Sequence, residues 1–163
     1  MIREARKDEW GKLKELYLTL LKNDPEAFVD EYVVVKERVE DEWEHFFSIK
    51  DGTTFVSEED SRLVGMGQVN FYQTLPGLPV LHKLGVLPKY RGRGIAKQLI
   101  KARENWAQEK GAERIRTYVI ASRNSTLELF KRVGYEKKEL LKNNAQRSNG
   151  TYVDVIVLEK TLN

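Results

Sequence analysis

Apolar residues recur along this chain with two periods that take turns. Between Asp8 and Lys22, Trp10, Leu13, Leu16, Tyr17, Leu20 and Leu21 fall on one helical face, and Asn23-Asp24-Pro25 ends the run. A second helix is predicted from Val35 to Ser48, with Val39, Trp43, Phe46 and Phe47 as its apolar stripe; PEAFVDEYV before it has no clear period. Residues 2 to 5 read as a short first strand, TTFVSEE and RLVGMGQVNFYQ as a hairpin turning at Asp60 and Ser61, and Val80 to Val86 as another strand. Ile95, Ala96, Leu99, Ile100, Ala102, Trp106 and Ala107 return to helical spacing, with Gly111 placed to end that helix. The strand ERIRTYVIA follows, then a short helix from Ser125 to Val133 closed by Gly134. Two last strands, YEKKELL and YVDVIVLEK, flank a polar loop from Lys142 to Gly150. The order βααβββαβαββ defines an α/β (α+β) chain without internal repeat or low-complexity tract.

With 163 residues, 40% hydrophobic and 33% charged, the chain suits one domain over residues 1–163, since two would each be short of core. The net charge of +3 decides little about partners, so local placement must. No apolar run approaches the roughly 20 residues that cross a bilayer, and no signal peptide is visible, so a cytoplasmic protein without a membrane partner is expected. The absence of cysteine excludes disulfides, thiolate metal sites and a cysteine nucleophile, and two histidines, His45 and His82, argue against a zinc site.

The densest chemistry lies where a strand gives way to a helix, at PKYRGRGIAKQL, residues 88 to 99. A helix N-terminus offers unpaired N–H groups and the positive end of a dipole, and glycines 92 and 94 let a ligand approach the backbone. Lys89, Arg91, Arg93 and Lys97 oppose the helix dipole, a penalty that a bound polyanion would reverse. The alternative is a glycine-softened turn with solvated cations. A dinucleotide fingerprint fails because Lys97 stands where a third glycine is needed, and the Gly-Lys-Ser/Thr of a P-loop is absent.

The run Val86-x-Pro88-x-Tyr90-Arg91-Gly92-Arg93-Gly94-Ile95-Ala96 resembles the acetyl-CoA-binding motif of the GNAT superfamily of N-acetyltransferases. A second block, from Asn124 through Phe130-Lys131-Arg132-Val133-Gly134-Tyr135, is similar to that superfamily's later helix, and the order of elements matches as well. The resemblance implies a mixed, mostly antiparallel sheet of six to seven strands flanked by about four helices, and acetyl-CoA as co-substrate. It implies that backbone N–H groups of Arg91, Gly92, Arg93, Gly94, Ile95 and Ala96 hold the pyrophosphate. Leu84, Gly85 and Val86 would pair with the pantetheine arm, the N–H of Leu84 facing the thioester carbonyl as oxyanion donor. Gly85 independently fits a bulge in that strand. Asn124 matches a pantetheine contact, or is the N-cap of the helix starting at Ser125. The family often has a tyrosine acid where this chain has Phe130. Tyr135, Tyr118 and Tyr152 are substitutes or core-filling strand aromatics, and a thiol of pKa about 8.5 leaves tolerably well unaided.

For a lysine-like acceptor of pKa about 10.4, neutrality at pH 7 costs roughly 4.6 kcal/mol; for an α-amine near 8 it costs about 1.4. His82, at alternating spacing with Leu84 and Val86, is either the base serving that step or a histidine filling a strand face. Asp154, which interrupts YVDVIVLEK, is either an anchor or proton relay for the amine or an exposed edge residue. His45 reads as a solvated helix residue. No nucleophile for an acetyl-enzyme is evident, so the amine is expected to attack directly in a ternary complex. The resemblance implies an acceptor pocket lined by Asn23 to Tyr32 and Leu140 to Thr151, taking a small-molecule or peptide amine, and is compatible with a homodimer. A non-catalytic acyl-CoA-binding domain is the alternative function. A nucleic-acid patch at Lys89 to Arg103 is disfavoured by the apolar face of that helix and the lack of any reader motif.

Overall fold

Alternating apolar strands and amphipathic helices come together as one sheet with helices on both faces in the computed structural model, which describes residues 1–163. The strands are β1 (Ile2–Glu4), β2 (Gly52–Glu59), β3 (Arg62–Asn70), β4 (Val80–Val86), β5 (Arg114–Ile120), β6 (Glu136–Gln146) and β7 (Tyr152–Thr161). They lie in the order β1-β2-β3-β4-β5-β7-β6, and every neighbouring pair is antiparallel except β4 and β5. The helices are α1 (Trp10–Asn23), α2 (Tyr32–Val35), α3 (Glu40–Phe47), α4 (Ile95–Glu109) and α5 (Asn124–Arg132).

The two sheet faces can be told apart at glycines. A Cβ on Gly85 would lie 2.7 Å from Leu20 of α1, and one on Gly65 would lie 3.2 Å from Leu99 of α4. Helix α1 therefore packs on one face of the β3–β4 region and α4 on the other. The apolar stripe of α1 is buried as predicted, at Leu13, Leu16, Tyr17, Leu20 and Leu21. On the α1 face, Tyr17 and the rings of Phe28, Trp43 and Phe46 meet at centroid separations of 5.4 to 6.4 Å, mostly edge to face.

Two segments differ from the expectation. The predicted helix from Val35 to Ser48 is broken, because Val39 is extended and 63% exposed, and its N–H is taken by the Glu42 carboxylate at 3.1 Å. Glu40, Asp41 and Glu42 then occupy the first turn of α3, where acidic charge complements the helix dipole. The loop expected from Lys142 to Gly150 is mostly strand, since β6 runs to Gln146, in register with Tyr152. This edge strand is exposed along nearly its whole length, so it carries no apolar alternation to mark it.

Candidate active site

Strands β4 and β5 are in register only at Val80–Arg116 and Leu81–Thr117, with the Thr117 hydroxyl donating to the Leu81 carbonyl at 3.1 Å. Beyond that tie they part. At the same level β4 bulges against β3: Met66 pairs with Gly85 and Gln68 with His82, so Lys83 and Leu84 together oppose Gly67. The residue that turns the chain is Lys83, at φ +53°, a conformation a side chain seldom adopts. Gly85 was the expected bulge residue. It is instead in register, and its missing Cβ makes room for Leu20 and Phe28. Because of the extra residue, His82 shares the α1 face with Gln68 and Gly85, whereas Val86 pairs with Gly65 on the α4 face. The alternation read through His82, Leu84 and Val86 is thus interrupted. His82 and Leu84 both still reach the wall of one cavity of about 250 Å³ at the parting of the strands.

That cavity is lined from both faces, by Tyr17, Phe28 and Asp30 on one side and by Arg103, Thr126 and Phe130 on the other. Arg103 of α4 is fully buried and lies against Gly67, where a Cβ would come within 2.7 Å of its guanidinium carbon. Its Nε donates to the Leu99 carbonyl at 3.0 Å, and Nη1 donates to the carbonyls of Gln68 and His82 at 3.1 and 3.3 Å. Nη2 is buried without a partner. Burial brings this guanidinium down to about 10. Arg103 and Lys83 were not singled out from the sequence. Arg103 had a signal: it sits at a stripe position among Ile95, Leu99, Ile100 and Ala107.

His82 Nε2 lies 2.5 Å from Asn70 Oδ1. That oxygen only accepts, so Nε2 carries the proton and Nδ1 holds the free lone pair. Burial, together with the charges of Lys83 and Arg103, pushes the imidazole down to about 3. It is neutral throughout the physiological range and, by the same measure, a weak base.

At the junction, Gly92 and Gly94 have φ of +76° and +79°, and nothing stands within 4 Å of a Cβ at either. The backbone N–H groups of Gly92, Arg93, Gly94, Ile95, Ala96 and Lys97 find no acceptor in the protein, the first paired N–H of α4 being that of Gln98. An unpaired run of this kind fits a phosphate-bearing ligand. Arg91 Nε donates to the Val86 carbonyl at 2.9 Å, linking the glycine turn to the end of β4.

The remaining predicted residues are dispersed. Asp154 does not line the cavity: its Oδ1 accepts the N–H of Asn143, a residue at φ +50° in the irregular part of the β6–β7 pairing. Asn124 is the first residue of α5 rather than its cap, which is Arg123. Phe130 is buried on the cavity wall, with Tyr135 edge-on behind it at 5.0 Å. Of the three alternative tyrosines only Tyr118 lines the cavity; burial drives the Tyr135 hydroxyl far up, and Tyr152 is exposed. The acidic residues before α2 are mostly engaged by the protein itself. Asp24 pairs with Arg123 at 2.8 Å, Asp30 accepts from the Tyr17 hydroxyl at 2.6 Å, and Glu31 accepts from Ser148 N–H and hydroxyl at 2.9 Å. The tip of the β6–β7 hairpin is thereby docked over this segment, and Arg147 adds a bond to the Phe28 carbonyl at 3.1 Å. A larger concavity of about 750 Å³, walled by Trp10, Phe47, Phe71 and Trp106, contains none of the bulge residues.

Comparison with known proteins agrees with this geometry. The model of the acetyltransferase (GNAT) family matches residues 10–135, and the chain belongs to that family. An N-acetyltransferase of Methanocaldococcus jannaschii, described as uncharacterized, is 28% identical over 151 residues, which cover 86% of this chain and 62% of that protein. The chain thus spans about three-fifths of that relative's length. An N-acetyltransferase from Staphylococcus aureus Mu50 shares the fold at a TM-score of 0.84 and 23% identity, covering 100% of this chain and 98% of the other. A GNAT superfamily phosphinothricin acetyltransferase from Sinorhizobium meliloti, solved in complex with AcCoA, superposes at a TM-score of 0.83 with 18% identity, over 99% and 88% of the two chains.

Proposed function

We propose that this protein moves the acetyl group of acetyl-CoA to a primary amine by direct attack in a ternary complex. The observation that carries the reading is the run of unpaired N–H groups from Gly92 to Lys97, set beside a cleft that begins where β4 and β5 part. In this reading the cradle holds the pyrophosphate, Leu84 to Val86 pair with the pantetheine arm, and Asn124, exposed at the start of α5, meets that arm. Acetyl-CoA supplies a thioester carbon open to attack. Leu84, which shares Gly67 with Lys83 across the bulge, presents its N–H to the oxygen that gains charge. The amine nitrogen bonds to the acetyl carbon as the carbon–sulfur bond breaks, and the thiolate takes up the proton that the nitrogen loses.

His82 serves this step through the lone pair on Nδ1, as a hydrogen-bond acceptor that orients an amine already neutral. With the imidazole held near 3, a full proton transfer to it at pH 7 is unfavourable. Asp154 is left outside the chemistry, since it does not line the cavity and its Oδ1 accepts the Asn143 N–H.

Calorimetric titration of the protein with acetyl-CoA, beside NADPH and an oligonucleotide, tests the assignment. Selective binding of acetyl-CoA, lost in Gly94→Val with the far-ultraviolet spectrum unchanged, is expected. Equal binding by that variant would remove the cradle. Binding without thiol release in the presence of any amine would leave an acyl-CoA-binding domain instead of an enzyme.

A further inference from the structure

The cavity at the strand parting holds more positive charge than the protein neutralises. Lys83, Arg103 and Arg123 stand on its wall against one carboxylate, Asp30, which already accepts from Tyr17. Arg123 is paired with Asp24 through Nη2, yet its Nε is buried without a partner, as is Nη2 of Arg103. Lys83 has neither an ion pair nor a hydrogen bond, and its ammonium rests 4.7 Å from the centre of the Phe46 ring. Lys83 is half-buried and desolvation pushes its ammonium below the usual lysine range, and the unpaired donors of Arg103 and Arg123 add to the cost of this wall. An incoming anionic group removes part of both.

Resting on the acetyl-transfer reading above, we infer that the acceptor is an amine carrying a free carboxylate, of the α-amino acid class, and that Lys83 receives that carboxylate. Lys83 is adjacent in sequence to Leu84, and the positive-φ bulge places it on the same wall as His82, Tyr17 and Phe28. Arg103 is occupied by three carbonyls and Arg123 by Asp24, which leaves the Lys83 ammonium as the uncommitted cation.

The chemistry of the site points the same way. No strong base faces the cavity, so an amine that gives up its proton easily is the suitable acceptor. An α-amine without a free carboxylate beside it, at about 8, is far easier to neutralise than a lysine-type amine at about 10.4, and that of a free amino acid lies between the two. A neighbouring carboxylate ordinarily holds an ammonium protonated; pairing that carboxylate with Lys83 cancels its effect, and the positive wall disfavours the ammonium further. A polyamine would bring a second positive charge into a wall already short of anions. A peptide N-terminus would leave Lys83 without a partner.

The test compares free L-amino acids, their carboxamides and spermidine as acceptors, following thiol release from acetyl-CoA with the intact protein. The free acids are expected to exceed the carboxamides in kcat/KM by about tenfold or more, the effect of one charge-assisted hydrogen bond. Lys83→Gln should bring that ratio close to one, and Lys83→Arg should keep it. Independently, calorimetry on the CoA-loaded protein should show the N-acetyl amino acid binding to the wild type and not to Lys83→Gln. Carboxamides or spermidine as good as the free acids, or an acid preference unchanged in Lys83→Gln, overturns the carboxylate site and leaves acetyl transfer standing. Lys83-dependent binding of the N-acetyl amino acid without turnover of any amine supports the site while overturning the transferase reading.

Discussion

The Nη1 of Arg103, on α4, donates to the main-chain carbonyl of His82, on β4, at 3.3 Å, and the same nitrogen donates to Gln68 across the bulge at 3.1 Å. A helix side chain thus ties the two strands together where their pairing slips by one residue. The tie acts on the site through backbone and charge, since it fixes the approach to Leu84 and helps keep His82 neutral. Arg103→Met keeps similar volume without the donors or the charge. Three carbonyls would lose the guanidinium, at about 1–3 kcal/mol for each one left without another donor, against relief of a buried charge without a counter-ion. The variant is expected to stay folded while the His82 pKa rises in a titration followed by NMR. An unchanged His82 titration would show that Arg103 has no hold on the site.

His82 makes its own prediction about pH. A base of ordinary pKa near 6.5 would bend the rate profile there; an imidazole held near 3 does not. His82→Ala is therefore expected to lower kcat by a similar factor at pH 7 and pH 9. A deficit confined to the lower pH would identify His82 as a true general base and contradict its burial.

Gly85 is a packing position. Alanine there would set its Cβ 2.7 Å from Leu20 Cδ1 and 3.2 Å from Phe28. Overfilling of this kind costs about 1–3 kcal/mol, which urea unfolding should show as a lower midpoint with an unchanged slope. A midpoint equal to that of the wild type would mean that Leu20 moves aside freely.

Acid stability should depend on Glu9. Its buried carboxylate is held by Arg3 and Arg6, with the hydrogen bond from Arg3 as the main cause, and its pKa is lowered from 4.5 to about 2. A depressed carboxylate stabilises the fold above its unfolded value and loses that contribution as pH falls through the folded one. Glu9→Gln is expected to be less stable than the wild type at pH 7, with the difference shrinking between about pH 4.5 and 2. Thermal melts across that range check it; a difference independent of pH would assign the effect to packing.

Much of this protein is legible along the chain. The stripe of α1, the hairpin of β2 and β3, the bounds of β4 and the glycine junction before α4 each depend on residues close in sequence, whose spacing or conformational freedom is a local property. The run of unpaired N–H groups belongs to that group, because φ of Gly92 and Gly94 and the helix start after them need only the turn itself. The strand alternation through His82 was legible too, and so was a bulge near Gly85, but not its place at Lys83 and Leu84.

What the tertiary structure decided are matters of pairing over long separations. Whether the bulge falls at Gly85 or at Lys83 is settled by β3 and by Arg103 lying on Gly67, neither of which β4 encodes. The acidic residues near α2 looked available as charges in a string; Tyr17, Arg123 and Ser148 consume three of them only once the chain has folded. The sequence by itself determined most of the elements, the family and the place of the glycine turn with its unpaired N–H groups, since these rest on local period and turn geometry. The tertiary structure decided the face of His82, the burial of Arg103 and the unspent charge of Lys83, because burial and charge balance are properties of neighbours brought from elsewhere in the chain.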